Sequence, residues 1–121
     1  LIVEVLGGTE VYASGAETFS IAREKFFLAN GVWIAIMEGE PLAQRTYNHI
    51  AFKVGAGELE RCRAALARLG LEVRESRPRD EGEGQSLYFY DDDNHLFELH
   101  SGTLDERLRR YAQGKIAPAP A

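Results

Sequence analysis

Glu58-Leu59-Glu60-Arg61-Cys62-Arg63-Ala64-Ala65-Leu66-Ala67-Arg68-Leu69 is the stretch from which the rest of the chain is read. Leu59, Cys62, Leu66 and Leu69 recur at three- and four-residue steps, which puts them on one stripe of a helix. Gly70 follows as a terminator, because glycine takes the left-handed conformation that ends helices at little steric cost. Before this helix, residues 47–54 read as a strand. After it, Leu71-Glu72-Val73 starts another strand. Leu87-Tyr88-Phe89-Tyr90 and Leu96-Phe97-Glu98-Leu99 read as two more, joined by the turn Asp91-Asp92-Asp93-Asn94. The second half is therefore strand-helix-strand-strand-strand. A polar loop over residues 77–85 carries Pro78, Gly82 and Gly84. Thr103, with Glu106 three residues on, forms a capping-box pattern for a short helix over residues 103–111. The tail, residues 116–121, alternates Ala and Pro and is expected to be disordered.

The first half shows the end of a similar unit. Glu10-Val11-Tyr12-Ala13 reads as a short strand and residues 18–28 as extended chain. Ala29-Asn30-Gly31 is a turn signal, and Val32-Trp33-Ile34-Ala35-Ile36-Met37 is an apolar run of strand length. Turn residues Glu38-Gly39-Glu40-Pro41 close it. One further strand and one helix would complete the unit. The chain starts at Leu1-Ile2-Val3-Glu4-Val5-Leu6 without an initiator Met, so a truncated or mis-started sequence is expected.

The chain has 121 residues, 45% of them hydrophobic, which is enough for one domain with its own core. A net charge of −5 gives no general attraction for nucleic acid or an anionic membrane. An anionic substrate would need a local cluster of Arg or Lys. The one cysteine, Cys62, excludes an internal disulfide framework and a Cys-based zinc site, and is expected to pack in a reducing cytoplasm. No apolar run approaches the ~20 residues of a membrane span, and no signal peptide is read at the start.

The histidines are His49, His95 and His100. His49 sits among apolar strand residues, as a core side chain or a ligand. His95 follows a turn and reads as a surface residue. Glu98 and His100, two apart on a strand, share a face. Glu98 lies between Phe97 and Leu99, where a carboxylate is costly unless paired or metal-bound. A His and a Glu on neighbouring strands supply two ligands suited to manganese, iron or zinc, with a third expected. Glu24, between Arg23 and Lys25, is either a solvated charge or a general base held near an apolar wall. The loop from Arg77 to Ser86 is glycine-rich and bears cations, but it lacks the Walker spacing, so flexible anion binding is the function left open to it. Tyr88, Tyr90 and Arg107 could add donors, or serve as strand packing and helix surface charge.

Four segments together resemble the FosX-type fosfomycin resistance proteins of the vicinal oxygen chelate (glyoxalase) superfamily. They are Phe19-Ser20-Ile21-Ala22-Arg23-Glu24-Lys25-Phe26-Phe27-Leu28, Arg45-Thr46-Tyr47-Asn48-His49-Ile50-Ala51-Phe52, Gly82-Glu83-Gly84-Gln85-Ser86-Leu87-Tyr88-Phe89-Tyr90-Asp91 and the run from Asn94 to Leu104. The resemblance implies an α+β fold of paired βαβββ modules, with the first strand and helix of module one missing. It implies a single domain over residues 1–115, with a partial N-terminal module 1–40, a C-terminal module 45–112, and the tail 116–121. It also implies a homodimer with swapped modules, no nucleic-acid or membrane partner, and a small phosphonate epoxide as substrate. The implied cofactor is manganese, held by two histidines and a glutamate. His49 and Glu98 match two of those positions; the third is a histidine on a first strand, which this sequence begins after, and neither His95 nor His100 falls there. Glu24 matches the family's general base, which the thiol-transferring relatives do not need. Arg107, Tyr88 and Ser86 match phosphonate contacts, Trp33 a pocket wall, and Arg79 is a weaker candidate for the phosphonate. The implied reaction is hydration of fosfomycin to a diol. A thiol transferase and a non-catalytic metal- or antibiotic-binding module are the alternatives.

Overall fold

The computed structural model describes residues 1–17, 21–75 and 84–116, without the side chains of 114–116. Among these residues, seven strands and two α-helices follow in order: β1 (Thr9–Ala13), β2 (Glu24–Ala29), β3 (Val32–Met37), β4 (His49–Lys53), α1 (Leu59–Arg68), β5 (Val73–Glu75), β6 (Ser86–Tyr90), β7 (Leu96–His100) and α2 (Leu104–Ile116). They form two sheets. One is the antiparallel β1-β2-β3; the other has the order β4-β7-β6-β5, with β4 parallel to β7 and the remaining pairs antiparallel. The architecture is α+β, and the second half has the expected strand-helix-strand-strand-strand order.

Local chemistry sets the turns. Asn30 and Gly31 between β2 and β3 both have positive φ, 50° and 80°, the requirement of the two-residue hairpin that matches strand twist. Gly70 ends α1 at φ 74°: its N–H reaches the Ala67 carbonyl at 3.0 Å and the Leu71 N–H reaches that of Leu66 at 3.0 Å. The stripe read from sequence is the buried one. Leu59, Cys62, Ala65 and Leu66 pack against Leu87, Phe89 and Leu99 from β6 and β7, whereas Leu69, past the helix end, is exposed.

Val5 completes that core from the N-terminal side. Residues 1–6 form a helical turn, with Val5 N–H on the Leu1 carbonyl at 2.8 Å and Leu6 N–H on that of Ile2 at 3.2 Å. Arg61 joins this turn to α1 by donating to the carbonyls of Glu4 and Val5, both at 3.0 Å, while Glu58 holds its Nε at 2.6 Å. Carbonyls at the end of a helical turn lack intrahelical partners, and a guanidinium satisfies two at once. Cys62 is fully buried as packing, and desolvation pushes its thiol pKa up.

Two expectations are revised. Of the 18–28 stretch, only the part from Glu24 on is strand, within β2; residues 21 and 22 bend, and residues 18–20 lie outside the described residues. The final helix starts after Thr103, whose hydroxyl accepts the Glu106 N–H at 3.1 Å, but runs to Ile116 rather than to Tyr111. No proline occurs between Thr103 and Pro118, and a proline disfavours helical backbone in the residue that precedes it. Most of the 77–85 loop, Arg79 included, and residues 117–121 of the tail lie outside the described residues.

Candidate active site

The β4–β7–β6 register builds a cluster on the sheet face opposite α1. Ala51 and Tyr88 both stand opposite Glu98, which puts His49, Glu98, Ser86 and Tyr88 on one face and leaves Phe52, Phe97, Leu87 and Leu99 for the other. Within this cluster His49 Nε2 lies 3.2 Å from Glu98 Oε1. Glu98 is 8% exposed and Ser86 3% exposed. The Ser86 hydroxyl donates to Glu98 Oε2 at 3.0 Å.

His49 Nδ1 lies 2.8 Å from the backbone carbonyl of Tyr47. A carbonyl only accepts, so Nδ1 carries the hydrogen, and in the neutral ring Nε2 then presents a lone pair. That lone pair faces a carboxylate oxygen, an arrangement relieved by a proton or a cation shared between them. A ring nitrogen anchored through its other N–H to a backbone carbonyl is also the usual setting of a metal-bound histidine. One imidazole and one carboxylate make a borderline-to-hard donor pair, and on this geometry His49 and Glu98 fit a divalent metal such as manganese.

Aromatic side chains flank the pair. Tyr47 and Tyr88 stack with ring centroids 6.4 Å apart, and each meets the His49 ring edge-on, at 5.0 and 5.5 Å. Burial first, then hydrogen bonds to Glu98 and Tyr47, hold the Tyr88 phenol protonated, its pKa well above the ordinary tyrosine range. A neutral phenol beside a carboxylate serves as a donor. Tyr47 was not singled out in the sequence; its signal, an aromatic residue two positions before the candidate ligand on the same strand face, is too common to read alone.

The remaining candidates stand elsewhere. Glu24, Phe26, Leu28, Trp33 and Met37 share one face of the N-terminal sheet, by the β2–β3 register. Phe26 packs between Tyr12 and Trp33, with centroids at 4.9 and 5.2 Å. Ser14 fixes Glu24 twice: its hydroxyl accepts the Glu24 N–H at 2.9 Å, and its N–H donates to the Glu24 carbonyl at 3.0 Å. Glu24 lines a pocket of about 340 Å³ with Ser14, Arg23, Ile36 and Met37, and none of the β4–β7 cluster lines it. Its flanking cations pair elsewhere, Arg23 with Glu38 and Lys25 with Glu10 at 2.9 Å. Arg107 on α2 donates to the Tyr111 hydroxyl at 3.0 Å.

His95 belongs to the β6–β7 turn. Asp91, Asp93 and His95 bring potential ligand atoms within 4.8 Å of one another, but Asp91 Oδ1 accepts the N–H groups of Asp93 and His95, and Oδ2 pairs with the His95 ring at 2.8 Å. These bonds account for the group as a turn cap. His100 stands opposite Lys53 and Ser86 in the register.

Known proteins resemble the chain over most of its length. The fosfomycin resistance protein FosX of Mesorhizobium japonicum is 59% identical over 110 residues, covering 91% of this chain and 79% of its own. A crystal structure of a FosX variant from Listeria monocytogenes, complexed with Mn(II) and 1S,2S-dihydroxypropylphosphonic acid, matches with a TM-score of 0.78 and 50% identity, over 91% of this chain and 82% of that one. The metallothiol transferase FosB of Lysinibacillus sphaericus is 36% identical over 95 residues, covering 75% of this chain and 67% of its own. No family model matches the chain.

Proposed function

Because the chain belongs to the FosX family of fosfomycin resistance proteins, we propose that it hydrates the epoxide ring of fosfomycin to the diol, with manganese as cofactor. The observation that carries the metal assignment is the pairing of His49 Nε2 with the buried Glu98 carboxylate at 3.2 Å. His49 and Glu98 would hold the ion. Bound there, the ion supplies Lewis acidity toward the epoxide oxygen.

Glu24 is the proposed general base. It takes a proton from water as the water oxygen bonds to a ring carbon and that carbon's bond to the epoxide oxygen breaks. Ser14 holds its backbone, and the Phe26–Trp33 pair is an apolar wall on the same sheet face. The substrate's phosphonate accepts from Tyr88 and Arg107, with Ser86 the other residue matched to it and Arg79 a weaker candidate, and Trp33 forms a wall. Tyr88's protonated phenol supports its part, since an anionic phosphonate needs donors.

The active unit is proposed to be a homodimer with swapped modules, residues 1–40 of one chain and 45–112 of the other forming one site. What supports this is the N-terminal sheet: the face bearing Glu24 leaves Trp33 66% exposed, along with Leu28 and Met37. An apolar face of this size beside a catalytic carboxylate calls for a partner surface. Among the described residues, no helix is long and apolar enough to cross a membrane.

The test is product analysis. Fosfomycin is incubated with the protein and Mn(II), with and without glutathione, and the products are identified by mass spectrometry and phosphorus NMR. The diol is expected in both. A thiol adduct formed only with glutathione would place the chain with the transferases instead.

A further inference from the structure

We propose that Tyr90 and Asn94 are positioning residues for His49, acting through the connector that leads into β4. The inference rests on the reading of His49 as a metal ligand and goes beyond it. His49 Nδ1 lies 2.8 Å from the Tyr47 carbonyl, so the direction of Nε2 depends on where that carbonyl points. Tyr47 precedes β4, whose pairing with β7 begins only at His49 opposite Leu96. The sheet ladder therefore does not fix the Tyr47 carbonyl, and the constraint has to come from the chain before the strand.

Hydrogen bonds from β6 and the β6–β7 turn supply it. The Tyr90 hydroxyl donates to the Thr46 carbonyl at 3.0 Å. Asn94 Nδ2 donates to the Leu42 carbonyl at 2.6 Å, while its Oδ1 accepts from Arg45 Nε at 3.3 Å. The Leu42 N–H donates to the Asp93 carbonyl at 3.1 Å. Thr46 passes the constraint forward, its Oγ1 accepting the Asn48 N–H at 3.2 Å. Tyr47 is thus bracketed by two tethered neighbours. The tethers are themselves held. Tyr90 stands opposite Leu96, which stands opposite His49, so the phenol and the imidazole belong to one row of the sheet. The guanidinium groups of Arg45 and Arg74 pack on the Tyr90 ring, 4.4 and 5.2 Å from its centroid. Asn94 sits at φ 69°, a left-handed conformation that asparagine tolerates, in the turn capped by Asp91. Without the tethers the peptide before β4 could rotate, Nδ1–H would turn to water, and Nε2 would leave its place opposite Glu98. Outer-shell groups that orient a ligand commonly contribute roughly 10- to 100-fold to metal affinity.

The experiment compares the unmodified chain with Tyr90→Phe, Asn94→Gly and the double variant, after far-UV circular dichroism has shown each to be folded. Tyr90→Phe keeps the ring and its cation contacts and removes only the hydroxyl. Asn94→Gly keeps the left-handed backbone and removes both side-chain bonds. Mn(II) affinity is read from the electron paramagnetic resonance signal of the unbound ion. The double variant is expected to bind roughly 10- to 100-fold more weakly, and each single variant to lose less. In the metal-free protein the His49 Nδ1–H proton is followed by NMR. It is expected to be resolved in the unmodified chain and lost to exchange with water in the double variant. A purely structural role would lower the urea midpoint and leave that proton in place. A retained Nδ1–H signal, or unchanged Mn(II) affinity, in the double variant overturns the proposal. If the unmodified chain itself takes up no Mn(II), the metal reading fails, and the Nδ1–H signal alone decides whether Tyr90 and Asn94 position His49.

Discussion

The two halves of this molecule carry chemistry in opposite ways. The C-terminal half buries its polar site: Glu98 and Ser86 are nearly inaccessible, bonded to one another, and backed by a core of Leu66, Leu87, Phe89 and Leu99. The N-terminal sheet displays its residues: Glu24 begins a strand whose neighbours Leu28, Trp33 and Met37 lie open on the same face. A metal ligand must be held before the metal arrives, because any rotamer freedom lost on binding lowers affinity. A general base has a different need. It must reach a water on a substrate held elsewhere, so it gains from a surface that becomes enclosed only when another surface covers it. With the proposed roles, the contrast gives preorganisation to one half and closure to the other.

The sharpest way to break that comparison is Glu24→Gln. Loss of the base is expected to lower the rate of diol formation by about 10²- to 10⁴-fold with Mn(II) affinity unchanged. Steady-state kinetics beside a Mn(II) titration measures both, and undiminished turnover would remove Glu24 from the mechanism. Next in size is Leu66→Ala, which empties a fully buried position of the C-terminal core. It is expected to cost about 2–5 kcal/mol in urea unfolding. A cost near zero would mean that the core does not carry the site.

Trp33→Ala is the matching change on the open sheet. With most of its surface exposed in the single chain, Trp33 should contribute little to the stability of a monomer. At the centre of an interface, by contrast, truncating a tryptophan costs about 2 kcal/mol or more. Sedimentation velocity over a range of concentrations should show weaker dimerisation, with little change in monomer unfolding. A dimer of unchanged affinity would show that the Glu24 face meets something other than a second copy.

Much of the fold was legible because its signals are local. The three- and four-residue spacing of Leu59, Cys62 and Leu66 gave α1, and Asn30-Gly31 gave the β2–β3 hairpin. The 18–28 stretch was legible only in part, since extended chain and strand have similar local signatures and differ in whether a partner pairs with them. The end of α2 was missed for a related reason: Tyr111 carries no stop signal, and its hydroxyl accepts from Arg107 one turn earlier.

By itself, the sequence determined the order of elements, the family through four separated motifs, and the residue types available for a metal and a base. A buried carboxylate between Phe97 and Leu99 already demanded a partner, whatever that partner proved to be. Only the tertiary structure decided that His49 is that partner with its lone pair turned toward Glu98, that the Ser86 hydroxyl meets the same carboxylate, and that Glu24 stands on a separate sheet. The reason is range. Periodicity and turn chemistry act between residues a few positions apart, while the use of each proton and lone pair depends on atoms brought within about 3 Å from strands far apart in sequence.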